Sequence, residues 1–204
     1  MSRKPSSPAS PGPESAVRRT LAPRGVRSDT AAHVLPDTLK PGLRLWLVGT
    51  AAGPVSAAVG AYYAHPGNRF WRALHEAGLT PRRFDPHEFR QLLPLGIGLT
   101  DFCKTAWGVD SDLPREGFDR ESFAAKVRRL RPKGLAFTSK TAASVWLARR
   151  TGAIAVGRHP NPPETGNGAT PAVFVLPSPS GLATSYWSLE PWKALGEWFR
   201  SGED

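Results

Sequence analysis

Between Arg44 and Gly53 the chain passes from an apolar run, Arg44-Leu45-Trp46-Leu47-Val48, straight into a loop of small residues, Gly49-Thr50-Ala51-Ala52-Gly53. A short run with Trp and Val, ended by glycine, fits a buried strand. Small residues directly after a strand let a ligand approach the backbone closely and leave amide N–H groups to face it. Two later segments follow the same grammar: Leu95-Gly96-Ile97-Gly98-Leu99-Thr100-Asp101, and Ala172 to Leu176 followed by Pro177-Ser178-Pro179-Ser180-Gly181. In open α/β sheets the ligand crevice lies at the carboxyl ends of the strands. If these three strands are parallel, their loops converge on one site.

The remaining segments alternate between the two periodicities. Phe70, Trp71, Leu74 and Ala77 predict a helix over about Asn68–Glu76, with Phe70 and Trp71 in the core. A short helix is expected over Pro86–Leu93, leading into a strand at Gly96–Thr100. Beyond a polar connector at Asp110–Gly117, an amphipathic helix is expected over Phe118–Leu130, a strand over Gly134–Thr138 and a helix over Thr141–Arg150. A short strand at Ile154–Gly157, a turn-rich stretch from Arg158 to Gly168, a strand at Ala172–Leu176 and a helix over Leu189–Phe199 with Trp192 and Trp198 complete the reading. Pro54–Gly60 reads as small and flexible. This alternation predicts an α/β fold, a three-layer α/β/α sandwich around a mostly parallel sheet. Residues 1–39, rich in Pro, Ser, Ala and Arg without an apolar period, read as a disordered basic tail, and residues 40–204 as one domain.

A net charge of +10 calls for a polyanionic partner. Nucleic acid is the first candidate, an anionic membrane surface the second, and a charge kept for solubility the third. The single Cys103 excludes an internal disulfide and a cysteine-based metal or iron–sulfur site. His65 and His159 each precede a proline and lack metal-ligand spacing, so they read as structural or as phosphate neighbours, and no metal is expected. The sequence contains no Walker A or GxGxxG motif, and no cofactor is expected. With no apolar run of about 20 residues and no signal-peptide core, an intracellular, cytoplasmic protein is expected.

Asp101 is the sharpest chemical signal. It ends an apolar strand, which places a carboxylate beside the first loop, where it can align or deprotonate a water or stabilise a cationic centre. The alternative is an aspartate capping the next turn. Tyr63, in the loop after the first strand, is placed to stack on a planar ligand, or is an ordinary half-buried tyrosine. Ser178 and Ser180 either donate to a phosphate or base edge or shape their turn. Leu182, on an exposed loop tip of a basic protein, has the character of an apolar wedge for a base stack.

Taken together, these segments resemble the uracil-DNA glycosylase superfamily, and within it the mismatch-specific (Mug / thymine-DNA glycosylase-like) branch. Gly49-Thr50-Ala51-Ala52-Gly53 stands where that branch has GINPG. Tyr63-Ala64-His65-Pro66-Gly67-Asn68-Arg69-Phe70-Trp71 looks like its FAHPxNRFW segment, and Ser178-Pro179-Ser180-Gly181-Leu182 like its NPSGL motif. The resemblance runs from about Pro41 to Trp198. It implies a domain that flips a damaged base out of DNA and hydrolyses its N-glycosidic bond. By position, Tyr63 would stack on the base; Gly49, Thr50, Ala51, Gly53 and Ser178 would surround it. Ser180, Gly181 and Leu182 would contact DNA, with Leu182 as the wedge. Two positions depart from the pattern: Ala51 replaces the asparagine that holds the attacking water, and Ser178 replaces another asparagine. Asp101, on the neighbouring strand end, is expected to supply the missing group.

The expected partner is double-stranded DNA containing uracil or mismatches, with single-stranded DNA a further candidate, and the protein acting as a monomer. No lysine lies in the three loops to form a Schiff base with the sugar, which implies a monofunctional enzyme. Lys104 is the nearest. Two other readings compete: a module that binds lesions without cutting them, and a Rossmann-like enzyme for a soluble nucleotide.

Overall fold

The computed structural model describes residues 33–160, 163, 170–183 and 185–202. Its five strands are β1 (Leu45–Gly49), β2 (Ile97–Asp101), β3 (Gly134–Phe137), β4 (Gly157–His159) and β5 (Ala172–Val175), in the spatial order β2-β1-β3-β5-β4. The first four neighbours in that order run parallel, and only β4 pairs antiparallel, with β5. Side chains alternate between two cores, as a sheet covered on both faces requires. Leu45, Leu47, Ile97, Leu99, Ala136 and Phe174 face one; Trp46, Val48, Leu135, Phe137, Val173 and Val175 face the other.

The first core is covered by α1 (Pro54–Val59), α2 (Phe70–Glu76), a 3₁₀ helix (Pro86–Leu95) and α5 (Glu190–Ser201), and the second by α3 (Arg120–Leu130) and α4 (Lys140–Leu147). The helix starts are set by local chemistry. Asp119 and Ser139 accept the amides of Ser122 and Ala142, and Asp85 with Glu88 forms a capping box. Phe70 and Trp71 are buried, as expected. The three-layer α/β/α sandwich predicted from the sequence is therefore the observed architecture.

Three expectations are corrected. Pro54–Gly60 is not a flexible stretch: Pro54 starts α1, and Gly60, at φ +69°, ends it. The strand expected at Ile154–Gly157 begins later. Ile154 is buried, but Val156 is exposed, and the backbone joins the sheet edge only from Gly157, at φ +118°. The apolar run there reports burial of one side chain rather than pairing. The turn-rich stretch after it starts within β4, and most of it lies outside the described residues.

The third correction concerns the tail boundary. Residues 1–32 lie outside the described residues, but 33–39 pack on the domain. Leu35 is buried, and Thr38 and Leu99 exchange backbone hydrogen bonds of 2.9 and 3.1 Å. A Cβ on Gly98 would stand 2.7–2.9 Å from Leu39, Leu43 and the Thr38 carbonyl, so glycine in β2 makes room for this segment. Among the described residues no helix is long and apolar enough to cross a membrane.

Candidate active site

The carboxyl ends of β1, β2, β3 and β5 lie along one edge of the sheet, as the parallel pairing requires. Within it, Gly49 of β1 and Asp101 of β2 are register partners. Asp101 is 4% exposed. A Cβ on Gly49 would fall 2.2 Å from Asp101 Oδ1 and 3.1 Å from Tyr63 Oη, so the carboxylate lies across the last residue of β1, next to the phenol. Space, rather than backbone conformation, makes position 49 a glycine. Among the described residues no hydrogen bond reaches the Asp101 carboxylate, and it does not cap the following turn. Burial lifts its pKa to about 6; the Lys104 charge opposes that rise and the Asp37 charge adds to it.

Tyr63 enters the site from a left-handed backbone conformation, φ +53°, that a bulky residue rarely adopts. Packing holds it there. Its ring stacks on Phe70 with centroids 3.7 Å apart, and the next amide, Ala64 N–H, donates to Ser56 Oγ. The Tyr63 and Thr138 hydroxyls lie 3.1 Å apart, and Thr138 Oγ1 also lies 3.3 Å from the Val48 carbonyl. Burial and the Asp101 charge both push the phenol above its ordinary pKa, which keeps the ring neutral.

Thr50 is turned inward rather than toward a ligand. Its hydroxyl donates to Asp110 Oδ2 at 3.1 Å and lies 2.6 Å from Ser139 Oγ, the hydroxyl that caps α4. It thereby ties the first loop to the end of β3 and to the connector after β2. Ala51 is half-buried and offers only a methyl group. A Cβ on Gly53 would meet nothing within 4 Å, which leaves open space beside the loop. Thr138, Ser139 and Asp110 were not anticipated. For the two hydroxyls the signal was present: Thr138 and Ser139 are small polar residues directly after a buried strand, the same grammar as the other three.

The last motif folds back on itself. Ser178 Oγ accepts the Ser180 amide and Ser180 Oγ accepts the Leu182 amide, both at 3.3 Å, so the serines shape the turn, and among the described residues their hydroxyl protons have no acceptor. A Cβ on Gly181 would be 3.0 Å from the Gly67 carbonyl, which packs this loop against the segment leading into α2. Leu182 is 83% exposed. His65 Nδ1 accepts the Gly67 amide and His159 Nε2 lies 2.9 Å from the Ala155 carbonyl, structural contacts in both cases. Among the described residues no group of three His, Cys, Asp or Glu side chains could hold a metal ion.

The uracil DNA glycosylase superfamily model matches residues 36–198. The chain belongs to that superfamily. A solution NMR structure of a Methanosarcina acetivorans protein described as a candidate uracil DNA glycosylase has the same fold, with a TM-score of 0.56 and 21% identity, covering 81% of this chain and 96% of that one. Membership gives the coarse function, a DNA glycosylase that hydrolyses an N-glycosidic bond, and the matched region contains every site residue described above.

One network in this glycosylase stands directly behind the site. Asp37 accepts from Thr100 Oγ1 at 2.6 Å and pairs with Lys104 at 3.1 Å and with Lys126. Lys104 Nζ also donates to Tyr62 Oη at 3.3 Å. Burial alone would raise the Asp37 carboxyl, but the two lysines and the Thr100 hydroxyl outweigh it and hold the pKa below the usual range. The lysine nearest the site is thus committed to an ion pair.

Proposed function

We propose that the protein is a monofunctional, mismatch-specific uracil-DNA glycosylase of the Mug-like branch, acting on uracil in G·U pairs of duplex DNA, with Asp101 in place of the water-holding asparagine. The observation that carries this reading is the buried Asp101 carboxylate, without a hydrogen-bond partner among the described residues, in register with Gly49 at the start of a loop whose position 51 is alanine. A buried carboxylate that no donor among the described residues reaches is poised for a positive charge or for a water proton.

In this mechanism the flipped uracil rests against the face of Tyr63 opposite Phe70, and Leu182 fills the gap left in the duplex. The C1′–N1 bond breaks with both electrons going to the base, and the sugar takes on oxocarbenium character beside Asp101. A water oxygen then bonds to C1′ and its proton passes to the carboxylate, from which it returns to solvent; the departing uracil anion gains a proton from solvent. An ion-paired Lys104 supports monofunctional chemistry, because a nucleophilic amine must be free and neutral.

Single-turnover excision decides the matter, with uracil, thymine, hypoxanthine and ethenocytosine placed in matched, mismatched and single-stranded DNA. Wild type should release uracil from G·U duplexes fastest, and Asp101→Asn should bind the same duplex but cut it orders of magnitude more slowly. The alanine at position 51 also suits a module that binds lesions without cutting. Duplex binding by wild type with no abasic sites formed would establish that reading instead.

A further inference from the structure

Two large apolar side chains stand out from the surface. Leu182 is 83% exposed and Tyr186 is 88% exposed, whereas the next most exposed large hydrophobic among the described residues, Val59, reaches 45%. Both lie on the connection between β5 and α5, at the edge of the sheet that carries the site. Isolated exposed apolar residues need no explanation. Two that dominate the surface, four positions apart on one connection, do.

A single residue holds the connection on both sides of this pair. Before Leu182, the Arg69 backbone amide donates to the Pro179 carbonyl at 2.8 Å and Arg69 Nη1 donates to the Ser180 carbonyl at 3.2 Å. After Tyr186, the same guanidinium lies 5.3 Å from the centre of the Trp187 ring. Arg69 itself is fixed as the residue that opens α2. Arg69 thus contacts the chain on either side of the pair, while Leu182 and Tyr186 themselves face solvent.

We propose that Tyr186 is a second prong for duplex DNA, stacking on the base left without a partner when Leu182 fills the gap, and that Arg69 is the positioning residue that holds the two prongs in place. This rests on the glycosylase reading above. Charge and position favour duplex DNA as the occupant: the chain carries a net charge of +10, and the prongs sit on the edge where a flipped nucleotide would enter. An aromatic ring stacks on any base, which suits a contact that must tolerate sequence.

The test uses the full chain and a duplex carrying a tetrahydrofuran abasic analogue opposite 2-aminopurine, with the matching undamaged duplex and single strand as references. Wild type should prefer the gapped duplex and quench the 2-aminopurine fluorescence by stacking. Tyr186→Phe should keep both properties; Tyr186→Ala should lose the quenching and bind the gapped duplex about tenfold more weakly, with single-strand binding little changed. Arg69→Gln should lose the quenching although both prongs are intact, and Arg69→Lys, which keeps the charge but not the planar fork, should lose it too. Wild-type quenching by Tyr186→Ala would overturn the second prong, as would an equal loss of duplex and single-strand binding. Wild-type quenching by both Arg69 variants would overturn the positioning role. If wild type shows no preference for the gapped duplex over the undamaged one, the glycosylase reading fails rather than this inference alone.

Discussion

Asp37, half-buried beside β2, and Asp101, buried at its end, are two carboxylates that end in opposite states. Asp37 meets a hydroxyl and two ammonium groups, and its carboxyl stays below the usual range. Asp101, one residue beyond the threonine that bonds Asp37, meets no donor among the described residues and rises to about 6. Burial is common to both. What separates them is the company each keeps: a carboxylate with partners consolidates a fold, and one without them stores an unfavourable charge that a reaction can use.

The sharpest way to break this contrast is to remove the charge at Asp101. Asp101→Asn should lower single-turnover excision by roughly 10²–10⁴-fold, the range of a general base or charge stabiliser, with duplex affinity retained; wild-type rates would end the distinction. Next comes Asp37→Asn, which leaves two lysines facing each other. Chemical denaturation at pH 7 should show a loss of about 3 kcal/mol, the low end for a buried pair because these groups keep some contact with water, and a variant as stable as wild type would make the network incidental. The third effect has the opposite sign. Because folding raises the Asp101 pKa, the penalty is absent below about pH 4, grows as pH rises toward about 6 and is complete above that. Asp101→Asn should therefore unfold at higher denaturant than wild type at pH 8, by at most about 3 kcal/mol, and show no such gain at pH 4.

The smallest effect is a displaced pH profile. Excision by wild type should rise with pH to a plateau, with a midpoint near pH 6. Lys104→Gln removes the charge that opposes the shift and should move the midpoint upward, whereas Asp37→Asn should move it downward. Midpoints that stay put in both variants would show that Asp101 does not feel the paired network behind it.

How much of this was legible in the sequence depended on distance along the chain. β1, its small-residue loop and the position of Asp101 could be read because strand patterning and glycine are local signals. The same locality misplaced β4, where Ile154 is apolar because it is buried and not because it pairs. The segment 33–39 escaped notice because half-buried ion pairs and a two-bond bridge order it, without any apolar period. Lys126 lies 89 residues from Asp37 in sequence, and no pattern short of the fold joins them. Tyr63 was legible as an aromatic in the right loop, but its left-handed backbone was not, since Phe70 and Thr138 impose it from elsewhere.

The absence of a side chain at position 49 has a consequence for how such a protein can drift. Any larger residue there must evict the carboxylate lying across it, so the glycine is held in place by a group on another strand. A lineage in which Asp101 shortened to alanine would leave only the Tyr63 hydroxyl to yield by a few tenths of an ångström before position 49 could vary, yet the reverse journey would be barred once a methyl group had settled there. The two positions act as a ratchet: the order in which they change decides whether the acid can ever come back.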